Sequence, residues 1–310
     1  MPRIVFRRLV YLIATMLAAS LILFGLFELS PESVAVDALG QFSTQEQRML
    51  WLEQNGYFEP AYVRYFAWLG KFVTGDLGMS RVFNAPVAKV LVDRLSATGI
   101  LALFFFATLI PISLTLGVIA GIQRGTLVDR AITLFCVITT SIPPFASTVL
   151  LSTIFVFSLH LLPGTSGMID GFSFRELIMP VTALVLYDLG YVARMTRASM
   201  IDVMARPYIR TAVLKGVPYP VVILRHALRN ALIAPFTVIM LHVNWLIGGV
   251  IVVELFFAYK GFGSLILEAT LSRDLFLLEA CTMTAVVIAV ATQSLADIAY
   301  TFLNPRIRFK

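Results

Sequence analysis

Thr196–Asn230 reads TRASMIDVMARPYIRTAVLKGVPYPVVILRHALRN. It is rich in helix formers, and it carries Arg197, Arg206, Arg210, Lys215, Arg225 and Arg229 against the single acid Asp202. Breaks fall at Arg206–Pro207 and again from Gly216 to Pro220. That pattern predicts two or three short helices with a tight turn at Gly216. On either side the polarity stops. Glu176–Met195 and Ala231–Phe257 are mostly apolar and long enough, at about 20 residues, to cross a hydrocarbon core. An ordered, basic segment held between two apolar runs points to an integral membrane protein with a structured loop outside the bilayer.

Working outward, four more runs have that length: Leu9–Leu29, Ala97–Ile122, Ala131–Leu159 and Leu275–Phe302. The expected fold is therefore all-α, with six transmembrane helices in one domain over residues 1–310. Of the 310 residues 59% are hydrophobic and only 14% charged, and mean hydropathy is +0.88. A soluble domain of this size needs far more polar surface. The first run follows Arg3, Arg7 and Arg8, as in a signal peptide. It is longer than the usual apolar region and has no small-x-small cleavage site after it, so it reads as a retained anchor. Pro111, Pro143–Pro144 and Pro235 predict kinked helices in a bundle. Gly117 and Gly121 form a small-xxx-small pair that predicts close helix packing.

The +6 net charge is an orientation signal. With both termini in the cytoplasm, fifteen of the 24 basic residues fall on the inner side, facing only Asp129 and Asp202. The long outer loop, residues 30–96, is nearly neutral, with six bases and seven acids. Its Trp51, Tyr57, Phe58, Tyr62, Tyr65, Phe66 and Trp68 suit short helices at the membrane surface, or a docking surface for an external partner. No basic block is interleaved with exposed aromatics, which argues against nucleic acid. Cys136 and Cys281 lie in separate apolar runs with no second Cys or His at metal-ligand spacing, so they read as buried packing residues.

Ionisable or amide groups within spans are functional candidates. Asp188, His242 and Asn244 fit the lining of a polar path, while Glu254 and Asp297 lie nearer the interfaces. No Gly-x-x-x-x-Gly-Lys-Ser/Thr phosphate loop occurs. Two rival functions have a foothold. Gly164-Thr-Ser-Gly167 with His242 matches the elements of an intramembrane serine protease, although Ser166 is expected in an outer loop. Asp188 alone would serve a proton-coupled carrier, which leaves the ordered basic loop without a role.

The stretch Ala193–Met200, then Tyr208–Ala212, Lys215–Gly216 and Arg225–Ala231, closely resembles the cytoplasmic coupling loop of dipeptide and oligopeptide ABC permeases, of the first of the two permease types that pair in these importers. Gly75–Ser80, Ser141–Phe145, Val253–Glu254, Gly261–Gly263, Arg273–Asp274 and Asn304–Arg308 follow the same family in order. The usual leading Glu of the importer motif is absent. The resemblance implies that residues 196–230 form a coupling loop. Arg206, Arg210, Thr211, Ala212, Lys215 and Gly216 would then transmit motion from an ATPase. It implies no enzyme activity and no cofactor in this chain, ATP and magnesium being bound by one or two cytoplasmic ATPase subunits. The other expected partners are a second permease subunit, a periplasmic or extracellular solute-binding protein and membrane lipid, at the bacterial inner membrane. The resemblance makes di- or oligopeptides the expected cargo, with nickel chelates and glutathione-like molecules, which related permeases carry, left open.

Overall fold

Helices account for most of the described residues because nearly every long run lacks the Gly, Pro and Asx clusters that interrupt them. The structure is a computed structural model; it describes residues 2–28, 34–36, 39–40, 42–168 and 171–303. Arg306, Arg308 and Lys310, three of the fifteen basic residues expected on the inner side, lie outside the described residues, as do the side chains of Arg3, Arg8, Asn244 and Asp297. Four helices are long and apolar enough to cross a membrane, or six if two bent pairs each count as one crossing.

The chain divides into two compact units. The first comprises Met1–Thr98 and Lys260–Ser294. It contains α1 (Pro2–Glu28), α2 (Gln45–Gln54), α3 (Ala61–Thr74), a two-stranded hairpin, and the start of α4 (Val87–Ile122). The segment read above as an outer loop thus contains two short helices, as its aromatics predicted. Thr44 caps α2 in a capping box with Gln47, and Gly75, at φ +81°, closes α3 with its N–H on the carbonyls of Lys71 and Phe72. In the hairpin, β1 (Met79–Ser80) pairs antiparallel with β2 (Ala85–Pro86).

One buried carboxylate holds that hairpin. Asp274 accepts from the Ser80 hydroxyl at 2.6 Å and from the Val82 N–H at 3.1 Å, and its other oxygen accepts from the Leu277 N–H at 3.3 Å. The last of these bonds caps α12 (Leu275–Leu303). The preceding α11 (Phe262–Ser272) is a short apolar helix between the last two spans that hydropathy alone does not reveal. Close by, Arg94 pairs with Glu268 at 3.5 Å and lies over the Phe83 ring. Those contacts explain why α4 starts at Val87 rather than at Ala97: Lys89, Asp93 and Arg94 depress the hydropathy without breaking the helix.

The second unit comprises Gly99–Tyr259 and Leu295–Lys310. At its centre is α7 (Phe174–Met204), the most buried of the long helices. Against it pack α5 (Leu127–Ser141), α6 (Pro144–Ser158) and α10 (Ile233–Phe256). The expected third span is broken: α5 and α6 meet at a 100° bend. Ile142 is pushed into extended conformation by the proline that follows, and Pro143 and Pro144 supply no N–H to carry the α5 ladder onward. The glycine pair of α4 does mark close packing. A Cβ on Gly117 would lie 2.5 Å from the Ala193 carbonyl oxygen, and one on Gly121 2.5 Å from Met200 Cβ.

Candidate functional site

The basic loop starts as a continuation of α7, which runs past the expected boundary at Met195 to Met204. Arg206 is extended, as the residue before a proline must be, and Pro207 opens α8 (Pro207–Leu214). Gly216, at φ +76°, turns the chain, with its N–H on Val213 O and the Val217 N–H on Ala212 O. After it, α9 (Tyr219–Ala231) leads at a 48° bend into α10.

The helix α8 does not hang free. Ile209 and Ala212, one turn apart, are buried with Met200, Val222, Ala227 and Ala231, and Val118, Ile122 and Leu228 close the cluster. Asn230 donates to the Tyr208 hydroxyl at 3.0 Å, and Ser199 to the Ala231 carbonyl at 2.7 Å. The opposite face of α8 is open. Arg206, Arg210, Thr211, Lys215 and Gly216 are exposed, together with apolar Val213, Leu214 and Leu224. None of Arg206, Arg210, Lys215, Arg225 and Arg229 forms an ion pair among the described residues. Of the six residues assigned to coupling, Ala212 differs: at 9% exposure it serves the internal seat and not the outer face.

Beneath the loop lies an ion pair that spacing did not reveal. Arg197 on α7 binds both oxygens of Asp129 in the first turn of α5. Asp129, 3% exposed, also accepts from the Gly125 N–H at 2.8 Å and the Thr133 hydroxyl at 3.4 Å, and Thr126 caps its own N–H. The Thr-x-x-Asp pattern at residues 126–129 is the sequence signal for the cap; nothing local signals Arg197.

Asp188 on α7 and His242 on α10 are brought together. His242 Nε2 lies 3.0 Å from Asp188 Oδ1. Nδ1 lies 2.7 Å from the Val238 carbonyl oxygen, which can only accept, so Nδ1 carries a proton. One further proton must then sit between Nε2 and Oδ1. It belongs to a histidinium–carboxylate pair or to a neutral imidazole and carboxylic acid, and the pair is net neutral in both cases. Asp188 Oδ2 is buried and has no hydrogen-bond partner among the described residues. The Tyr191 ring stands 6.0 Å from the imidazole. Asn244 lies two residues beyond His242 on α10, and its side chain is outside the described residues.

Ser166 is not set up as a nucleophile. It is buried in the loop before α7, its hydroxyl donates to the Glu176 carbonyl at 2.6 Å, and its N–H to the Phe257 carbonyl at 2.7 Å. The hydroxyl is a staple between loop and helix. Among the described residues, no group of three or more His, Cys, Asp and Glu could hold a metal ion.

Residues 113–309 match the family described as binding-protein-dependent transport system inner membrane component. Over its full length the chain is 33% identical to a Brucella abortus protein named as a peptide transport system permease, which it covers completely. It is 31% identical to the Bacillus subtilis oligopeptide transport system permease protein AppB, with each chain covered completely. It is also 31% identical to the Escherichia coli glutathione transport system permease protein GsiC, with 99% of each chain covered.

Proposed function

The chain belongs to the binding-protein-dependent transport system inner membrane components, and from that premise we propose that it is the permease subunit of an ATP-driven peptide importer. It forms half of the path across a bacterial inner membrane, both of its ends are cytoplasmic, and a second permease forms the other half. Cytoplasmic ATPase subunits supply the energy, and a solute-binding protein delivers cargo from outside. Peptides are the cargo class because AppB and GsiC are named for oligopeptide and glutathione transport, and glutathione is itself a small peptide.

The observation that carries this reading is the seated helix α8. A short helix whose inner face is fixed to the bundle and whose outer face offers exposed apolar and cationic side chains can transmit a push without bending. ATP binding draws the ATPases together, the loop moves with them, and the bundle exchanges its inward-open for its outward-open form. The bias comes from loop–ATPase contacts that differ between the two forms. Arg206, Arg210, Thr211, Lys215 and Gly216 are the contact and turn residues in this scheme. Asp188, His242 and Asn244 line or border the path.

Affinity purification of the tagged chain from its own membrane in mild detergent is the test. A second permease and ATPase subunits should accompany it, and Arg210→Glu or Gly216→Val should release the ATPases while keeping the permease. A chain that comes out alone and still transports would sink the proposal, as would uptake that survives ATP depletion on a proton gradient.

A further inference from the structure

A cavity of about 520 Å³ lies wholly within the first unit, walled by α1, α2, α3, the turn before the hairpin and the start of α12. Its size and mostly apolar lining are those of a small-ligand site. Three features say what kind of ligand. The first is depth. Phe24 lines the cavity from the last turn of the apolar Leu9–Leu26 segment, and Phe276 and Glu279 line it from the first turns of the Leu275–Ala296 segment. The cavity therefore sits where two membrane-length helices end, at the level of lipid headgroups.

The second feature is charge of both signs. Arg64 and Lys71 enter from α3, Glu59 from the segment before it, and Asp76 and Glu279 from the turn and from α12. Lys71 makes no ion pair among the described residues. Between these charges stand aromatic walls. Trp68 stacks on Phe72 with centroids 6.1 Å apart and donates its indole N–H to Glu279 at 3.2 Å; Trp51 lies against Tyr57, whose ring is covered by Arg64.

The third is the order of side chains around α3. Tyr62, Phe66 and Val73 form one stripe, exposed at 67%, 66% and 77%. About a quarter turn round the helix come Tyr65, Trp68 and Phe72, and a further quarter turn brings Arg64 and Lys71. Apolar, aromatic and cationic faces in that sequence match the polarity gradient from acyl chain to headgroup to water.

We propose that this cavity binds the headgroup of a zwitterionic phospholipid of the phosphoethanolamine kind. Lys71 holds the phosphate, Asp76 and Glu279 take the ammonium, and the acyl chains run down past Phe24 along α1. The mixed charges favour this headgroup over an anionic one such as phosphoglycerol, whose neutral glycerol offers Asp76 and Glu279 no ammonium.

The chain has three tryptophans, Trp51, Trp68 and Trp245, so Trp245→Phe, with the tryptophans of the other subunits also changed to Phe, leaves fluorescence that reports on this cavity alone. The transporter carrying that change is reconstituted in phosphatidylcholine vesicles with a minor fraction of brominated phosphatidylethanolamine or brominated phosphatidylglycerol. The expected result is quenching by the ethanolamine lipid well above its share of the bilayer. Lys71→Glu should lower that enrichment about five-fold, through loss of one charge-assisted contact, and Lys71→Arg should keep it. Quenching in proportion to bulk composition for both lipids overturns the proposal. Equal enrichment of the glycerol lipid overturns the role of the carboxylates. Protection of the tryptophans by added free dipeptide assigns the cavity to cargo instead.

Discussion

Arg197 grips both oxygens of Asp129, with Nε 2.5 Å from Oδ1 and Nη2 2.8 Å from Oδ2. The carboxylate is almost fully buried and its partner side chain is 29% exposed. Removing the arginine leaves the buried charge with hydroxyl and amide partners alone. Breaking a wholly buried pair costs about 3–5 kcal/mol, and the part-exposure of Arg197 lowers the expectation for Arg197→Ala to about 2–3 kcal/mol. Arg197→Lys should recover only part of that, because an ammonium cannot make the two-pronged contact. Thermal unfolding of the purified permease in detergent measures both. Equal melting temperatures for the wild type and Arg197→Ala would show that the pair is not structural.

Gly216 sits at φ +76° with no neighbouring atom within 4 Å of where a Cβ would stand. Backbone strain, and not crowding, is therefore what a side chain meets there. Gly216→Val should cost about 1–2 kcal/mol locally, loosen the end of α8 and lower ATPase retention. Gly216→Asn, which tolerates the left-handed region, should retain most of it. Co-purified ATPase per permease gives the ratio.

Crowding governs Gly117, where an added Cβ would sit 2.4 Å from Thr196 Cβ and 2.5 Å from the Ala193 carbonyl oxygen. Gly117→Leu should separate α4 from α7 and cost at least about 1–3 kcal/mol. Gly99, on the same helix, has open space and serves as the control: Gly99→Ala should leave the melting temperature unchanged or slightly raised. The two melting curves decide it.

Asp188 and His242 are expected to fail singly and survive together. Asp188→Leu strands the imidazole, and His242→Leu strands a buried carboxyl group. In Asp188→Leu with His242→Leu neither group is left over. The double change should melt higher than the less stable single variant, with a coupling of about 1–3 kcal/mol in the cycle. Peptide uptake by the same set separates roles. A path residue lowers transport in the double variant even where stability is restored, while a purely structural clasp does not.

Composition and spacing made the apolar runs, the Gly216 turn and the Gly117–Gly121 contact legible, because each rests on a local rule. The helices α4 and α7 run beyond the apolar spans that hydropathy marks, because Lys89, Asp93, Arg94, Arg194 and Arg197 are charged, yet find partners or solvent without interrupting a helix. The 100° bend at Pro143 exceeded the kink that a proline pair suggests, since two adjacent N–H groups are lost there. Ala212 packs inward with Ile209, three residues before it, at the helical spacing of an inner face. The pairing of Asp188 with His242, and of Asp129 with Arg197, depends on which helices meet, and no local rule carries that information. Asp274 is the same case: its hold on Ser80 ties the hairpin to a helix far along the chain.

Only 6% of the Leu9–Leu26 segment of α1 is buried by the rest of the chain. Its ties to later residues gather near one end, where Ser20 shares a hydrogen bond with Tyr65 and Phe24 packs on Tyr65 and Trp68. In terms of biogenesis, a helix that asks so little of its eventual neighbours can partition into lipid before they have been translated. A ribosome-arrested fragment ending far enough past Glu28 for α1 to clear the exit tunnel, but before α4, should already resist carbonate extraction from membranes, so the chain is moored while the rest of the permease is still being made.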